Sequence, residues 1–308
     1  MILKKGISKG QQMFKNEVEI IKKSYQEAFD EYIVKANVRG LSKETISTYN
    51  HQHKYFTSFL GDIKNCGDIT LETLESYVVF LKGRNIKNTT INSYLQNISP
   101  VIKYCINQGY ILENFNIPHV KFQEEFKEIL TENELNTLLQ PPKGKDFVSV
   151  RVYTCIWLLA SIGLRASELR NLKVRNVNML DRVIMCNNTK NKKARYLPIS
   201  SSLYEVLEKY LILRSGDGDQ YLFPTVYGEI LSRTSLQKGI VTYCHERGIN
   251  KSGIHIYRHT FITRSVEKNV SPLILKNITG HSSFKQLNHY YNAKVTSMVD
   301  IILVLPQN

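Results

Sequence analysis

The sequence predicts a mainly α protein with a small antiparallel β-sheet, an α+β chain built as two domains. Three observations predict it. The chain has 308 residues, beyond the size at which one hydrophobic core keeps growing. Apolar residues recur every three or four positions along most of its length, the period of a helix with one buried face. Only one pair of short β-rich runs interrupts that pattern, and the two runs are joined by a lysine-rich turn.

The elements follow in order. Residues 1–23 form a basic segment holding Lys4, Lys5, Lys9, Lys15, Lys22 and Lys23. A helical domain is expected over 24–117, opening with a helix at Ser24. Ser42 caps a second helix with Ile46, Tyr49, His53, Phe56 and Leu60 on one face, and Thr70 opens a third with Leu71, Leu74, Val78 and Leu81. Asn88 opens a fourth, whose stripe Ile91, Leu95, Ile98, Ile102 and Ile106 is expected to be interrupted at Pro100 and stopped at Gly109. Residues 118–130 read as the linker, with Pro118, mixed charges and no sustained period.

The second domain, 131–308, starts at a capping box in which Thr131 and Glu134 each satisfy a free amide of a new helix. An apolar helix from Phe147 to Ile162 ends at Gly163. Strands near Arg182–Asn187 and Ala194–Ile199 follow, and then helices near Ser201–Leu213, Ser235–Arg247, His255–Lys268 and Pro272–Ile278. The apolar strip Ile301–Leu305 reads as a last element packed on its own domain.

Composition narrows the function. A net charge of +14 and a pI near 9.4 suit a polyanionic partner, because lysines and arginines that neutralise phosphates release counterions. The five cysteines are scattered, odd in number and never spaced C-x-x-C, a pattern of reduced core residues and not of a disulfide framework or zinc site. The longest apolar stretch, Cys155 to Leu164, is about half of a membrane span, so no membrane association is expected. The first residues lack an apolar h-region and a cleavage site, which leads us to expect a cytoplasmic protein.

Chemistry-bearing residues cluster in four segments of the second domain. They are Gly163-Leu-Arg-Ala-Ser-Glu-Leu-Arg-Asn-Leu172; Thr189-Lys-Asn-Lys-Lys-Ala-Arg-Tyr-Leu-Pro-Ile199; His255-Ile-Tyr-Arg-His-Thr-Phe-Ile-Thr263; and Gly280-His-Ser-Ser283 followed by Tyr290. Any one of these has an ordinary structural reading, such as a capping arginine, a charged hairpin tip or a satisfied core histidine. His259 in particular is expected to be structural, since it points away from the face that His255 and Arg258 share at i and i+3. Taken together, in this order and at these spacings, the segments resemble the tyrosine recombinase, or phage integrase, family.

The resemblance implies a site-specific recombinase that cuts and rejoins double-stranded DNA through a 3′-phosphotyrosine, working as a homotetramer on paired sites. It makes 24–117 a core-type DNA-binding domain and 131–308 the catalytic domain with a C-terminal docking tail. By position in the motifs, Arg165, Lys190, His255, Arg258, His281 and Tyr290 are the catalytic set, and Glu168 is the residue that orients Arg165. Tyr257 and Thr279 stand where the family has leucine, and both are expected to be packing residues. Two other readings share the fold: a DNA-binding protein without strand exchange, and a type IB topoisomerase-like enzyme.

The physical chemistry asks for the same residue types. Planar guanidiniums neutralise charge developing on a phosphodiester. A phenol with an ordinary pKa near 10 needs cations or a base to attack at neutral pH, and a lysine can protonate the departing 5′ oxygen. No metal or other cofactor is called for, and no H-E-x-x-H motif or G-K-S/T phosphate loop occurs in the chain. On a straight helix the nine residues from His281 to Tyr290 would span about 13.5 Å and put the two on opposite faces. A bend within Ser282–Asn288 is therefore expected.

Overall fold

A computed structural model of the chain describes residues 22–63, 65–123, 127–144, 146–187 and 194–292. Lys190, the basic segment before Lys22 and the strip Ile301–Leu305 lie outside the described residues. The chain divides into two compact units, meeting between Glu124 and Glu125.

The first unit is a four-helix domain: α1 (Tyr25–Val38), α2 (Lys43–Leu60), α3 (Leu71–Lys82) and α4 (Asn88–Asn107). Ser24, Ser42 and Thr70 cap the first three through their hydroxyls. The core is aromatic, with Phe56 and Tyr77 edge to face at 5.0 Å and Leu74, Leu81, Ile91 and Leu95 packed around them.

Helix α4 runs straight through Pro100, where an interruption was expected. A proline inside a helix costs about 3 kcal/mol. Here Ile98, Val101 and Ile102, on both sides of it, are all buried, and each contributes about 1.5–3 kcal/mol by leaving water. The chain after α4 does not leave the domain at once. Asn92, itself buried, donates from Nδ2 to the Val120 carbonyl at 2.8 Å and accepts the Val120 N–H at 2.9 Å, so the residues read as the start of the linker are clasped to α4.

The second unit is built on α6 (Phe147–Ile162), which is flanked by α8 (Ser201–Arg214), α9 (Arg233–His245) and α10 (Ile254–Glu267). That surrounding explains a helix apolar on every side. Around it stand α5 (Glu132–Leu138), α7 (Ala166–Arg170), α11 (Pro272–Thr279) and α12 (Lys285–Asn292). The sheet is antiparallel in the order β1 (Val177–Asn178), β2 (Val183–Cys186) and β3 (Arg195–Pro198), with Val183 opposite Pro198 and Cys186 opposite Arg195. Strand β1 is only two residues long, too short for any alternation to reveal. Helix α9 begins two residues before the expected start, because Ser232 accepts the Ser235 N–H at 2.9 Å and so fixes the cap. All five cysteines are free and buried. No helix among the described residues is long and apolar enough to cross a membrane.

Candidate active site

The site grows from two helix ends. Helix α6 stops at Gly163, whose φ of +61° is left-handed, and a Cβ there would lie 2.6 Å from the Phe261 ring; only glycine fits. Two residues on, Arg165 caps α7 in extended conformation. Glu168, at the third position of that helix, accepts the Arg165 backbone N–H at 2.9 Å and its guanidinium Nη1–H at 2.9 Å.

Glu168 is 1% exposed, and a second cation reaches it. Arg195, the first residue of β3, donates from Nη1 and Nη2 to the two carboxylate oxygens at 3.1 and 2.9 Å, and from Nε to the Ile278 carbonyl at 2.8 Å. Burial alone would push the Glu168 carboxyl up. The hydrogen bonds from Arg195 and from the Arg165 backbone, with both positive charges, outweigh it and hold the group below its ordinary range. One buried carboxylate thus fixes two guanidiniums, one of them on the strand that follows the lysine-rich turn.

Helix α10 supplies the second half. Arg258 donates from Nη1 to the Gly163 carbonyl at 2.5 Å and from Nη2 to the Thr279 carbonyl at 2.7 Å, with His281 Nε2 at 3.1 Å. Burial, and next the charge of Arg165, brings its pKa down to about 10, so it remains a cation at neutral pH. The approach of Arg165 needs a second glycine. Gly280, at φ +65°, leaves no room for a side chain, since a Cβ would stand 2.8 Å from Arg195 Nη1 and 3.1 Å from Arg165 Nη1. Arg165 also donates from Nη2 to the Gly280 carbonyl at 2.6 Å.

His281 follows that glycine. Burial and the three arginines lower its pKa to about 4, so the ring is neutral at physiological pH. An arginine can only donate, so Nε2 is the acceptor and the proton sits on Nδ1, which lies 2.7 Å from Thr279 Oγ1. Thr279 was expected to be a packing residue. Its hydroxyl instead orients the His281 ring and, in turn, donates to the Leu275 carbonyl at 2.5 Å. Tyr257 is the buried packing residue expected.

The bend between His281 and Tyr290 is present: α11 ends at Thr279 and α12 starts at Lys285. Tyr290 packs beside Ile262, Leu275 and Leu287, with Lys127 Nζ 5.9 Å from its ring centre. Burial raises the phenol pKa, and the Arg258 charge opposes that rise. The neighbouring Tyr291 turns elsewhere and donates from Oη to the Val270 carbonyl at 2.6 Å.

Arg165, Glu168, Arg258 and His281 therefore meet in one hydrogen-bonded cluster, with Tyr290 beside it. His255 stands on the exposed edge, its Nε2 3.3 Å from Arg233 Nη2. Its pKa is lowered by burial, then by the charges of Arg233, Arg258 and Lys127. The structure also brings in residues that the sequence motifs do not reveal. His259 was expected to be structural, yet its Nδ1 is hydrogen bonded to Tyr290 Oη. Arg195 lies inside the second segment without being marked out by it, and Arg233 lies in none of the four. The one sequence signal for Arg195 is its place at the start of the strand after the lysine turn.

Comparison with known proteins fits this geometry. Residues 128–296 match the phage integrase family model and residues 24–122 the phage integrase SAM-like domain. The chain is 23% identical to a tyrosine recombinase of Thermosipho africanus, over 90% of this chain and 97% of that protein. It is 26% identical to the tyrosine recombinase XerD of Halalkalibacterium halodurans, over 85% of this chain and 91% of that protein. Among solved structures, the Tn1549 transposon integrase in complex with transposon right end DNA superposes with a TM-score of 0.74 at 19% identity, covering 91% of this chain and 99% of that one. A lambda integrase dimer bound to a core site gives 0.67 at 18% identity, covering 85% and 97%. At those identities the two structures speak for a shared fold.

Proposed function

Because the chain belongs to the phage integrase family, the tyrosine recombinases, we propose that Tyr290 is its nucleophile, that Arg165, Lys190, His255 and Arg258 stabilise or protonate the reacting phosphate, and that His281, expected from its motif to bond the phosphate itself, acts by holding Arg258. The enzyme breaks and rejoins DNA strands by transesterification. Tyr290 Oη attacks the scissile phosphorus, a bond forms between them, and the bond to the 5′ oxygen breaks with that oxygen leaving as a hydroxyl. The phosphotyrosine conserves the bond energy, so a 5′ hydroxyl of a partner strand reseals it without a nucleotide cofactor.

The observation that carries this reading is the braced pair Arg165 and Arg258. Among the described residues, their hydrogen bonds occupy two N–H groups of Arg165 and three of Arg258. Since a guanidinium has five donors, each keeps N–H groups for a phosphate. The brace holds those groups in place before substrate arrives, which is the condition for strong electrostatic stabilisation. Glu168 acts on the reaction through Arg165. Lys190 is assigned the general-acid role by its place in the motif.

In this reading the partner is a double-stranded recombination site. The DNA bound in the integrase structures and the +14 charge support it. A homotetramer on paired sites, a cytoplasmic location and service to a mobile element are part of the same proposal. So is the division of labour, with 24–117 gripping core DNA, 118–130 linking, and 131–308 cutting while its tail docks on a neighbour.

A nicked suicide substrate, which loses its 5′ fragment after cleavage, tests the chemistry. Wild type should accumulate a covalent protein–DNA adduct whose modified peptide contains Tyr290. Tyr290→Phe should fold and bind DNA without adduct. An adduct on Tyr291, or one that persists in Tyr290→Phe, would overturn the assignment.

A further inference from the structure

We propose that His259, not His255, is the base that takes the phenolic proton of Tyr290 when the tyrosine attacks, and that it returns this proton when the strand is resealed. The inference rests on Tyr290 being the nucleophile. Three features of the geometry carry it.

First, His259 Nδ1 and Tyr290 Oη are hydrogen-bond partners across α10 and α12, with the two rings 5.9 Å apart and inclined by 30°. Proton abstraction needs hydrogen-bond reach to the proton removed. Second, the two histidines that the motifs single out have different employment. His255 Nε2 sits against Arg233 on the exposed edge, and His281 Nε2 accepts from Arg258 while Nδ1 faces Thr279. Third, consecutive helical residues point about 100° apart. Helix α10 uses that turn to aim Arg258 at the carbonyls that frame the phosphate site and His259 at α12. The step between neighbouring residues that gives His259 a structural look in the sequence is what lets one helix serve both the electrophile and the nucleophile.

The proton balance closes. On cleavage the Oη–phosphorus bond forms, the phenolic proton passes to Nδ1, and the 5′ oxygen leaves with a proton from the general acid. On resealing, the attacking 5′ hydroxyl gives its proton back to that group, the Oη–phosphorus bond breaks, and the histidinium reprotonates Tyr290.

Among the described residues the charged groups beside the pair are Arg258 on α10 and Lys127 over the Tyr290 ring, with Arg233 of α9 farther off against His255. These cations favour phenolate over phenol and oppose a lasting histidinium. The phosphate monoanion offsets them while the transfer occurs.

Single-turnover cleavage of the suicide substrate between pH 5.5 and 9.5 tests the role, using full-length wild type, His259→Asn and His259→Ala. Asparagine can keep a hydrogen bond to Oη but cannot take a proton, and it carries the test should the alanine variant fold poorly. In wild type the rate should climb in the acid range as the histidine gives up its proton and then level off. In His259→Asn it should fall by about a hundredfold at pH 7, the lower end of what general-base catalysis contributes. The plateau should give way to a rate that is still rising at pH 9.5, because burial holds the phenol pKa above its ordinary value. Added imidazole should restore cleavage to His259→Ala in proportion to its concentration.

A His259→Asn profile with the wild-type shape would reduce the contact to positioning and overturn the proposal. Faster cleavage by His259→Ala would make the contact a parking place for the tyrosine and would overturn it equally. Wild type that forms its adduct on Tyr291, or forms none, removes the nucleophile assignment instead, so the two failures are distinguishable.

Discussion

Replacing Arg195 with alanine isolates what the shared carboxylate is worth. Glu168 is 1% exposed and Arg195 11% exposed at its side chain, so this is a buried pair and not a screened surface contact. The substitution removes two hydrogen bonds to Glu168 and one to the Ile278 carbonyl. Leaving a buried charge wholly unpaired costs about 3–5 kcal/mol; Glu168 keeps its 2.9 Å pair with Arg165, so this range is an upper bound. Urea unfolding at neutral pH should show a loss within that bound in the catalytic unit.

The pH dependence gives the sharper test. In wild type the Glu168 pKa lies below its unfolded value, so its contribution is full above about pH 4.3 and fades as pH falls through the folded pKa. In Arg195→Ala only Arg165 still opposes burial, so the folded pKa of Glu168 rises. The deficit is then greatest at neutral pH and shrinks as acid protonates the carboxyl. Glu168→Gln in the Arg195→Ala background should recover part of the loss by removing a buried charge that Arg165 alone compensates. An equal deficit at pH 7.5 and pH 4.5, or a double variant no more stable than the single, would refute the buried-charge argument.

Gly280→Ala should cost about 1–3 kcal/mol in backbone strain at a left-handed position. It should also cut single-turnover cleavage at least tenfold, because the new methyl stands 2.8 Å from Arg195 Nη1 and 3.1 Å from Arg165 Nη1; cleavage at the wild-type rate would count against that crowding. Adduct formation should proceed in EDTA, since arginine and lysine side chains supply the positive charge in the proposed reaction; adduct that is lost on chelation and restored by magnesium would contradict this. Asn92→Ala should lower stability by about 1–3 kcal/mol, the cost of leaving the Val120 N–H and carbonyl without their buried partner, and limited proteolysis should cut sooner near residues 117–123.

The legibility of the chain divides along physical lines. Periodicity and caps are local, and the helices opened by Ser24, Ser42, Thr70 and Thr131 begin where the sequence places them. The break before Tyr290 follows from helix geometry once the family resemblance puts His281 and Tyr290 in one site. Pro100 misleads because its local penalty is visible in sequence, whereas the burial that offsets it depends on the other three helices of the unit. Arg195 is illegible for a related reason. It lies 27 residues from Glu168, and nothing at either position marks a shared charge. His259 sits inside the most informative segment and still gives no sign of its partner, because a helical wheel shows where a side chain points but not what stands there. Thr279 is misjudged for the same reason: its hydroxyl has a role only once Gly280 turns His281 back onto it.

The anchoring of Arg258 has one more consequence. Its guanidinium bonds the carbonyl of Gly163 at the end of α6 and that of Thr279 at the end of α11, and the last carbonyls of a helix are its electronegative pole. The arginine is thus solvated by peptide groups, from two helices that stop at left-handed glycines. Water would have to reorient as negative charge grew on an approaching phosphate, whereas these dipoles are locked by backbone geometry. Much of the dehydration of this cation is therefore done when the chain folds, and an approaching phosphate meets a guanidinium whose neighbouring peptide dipoles are already oriented.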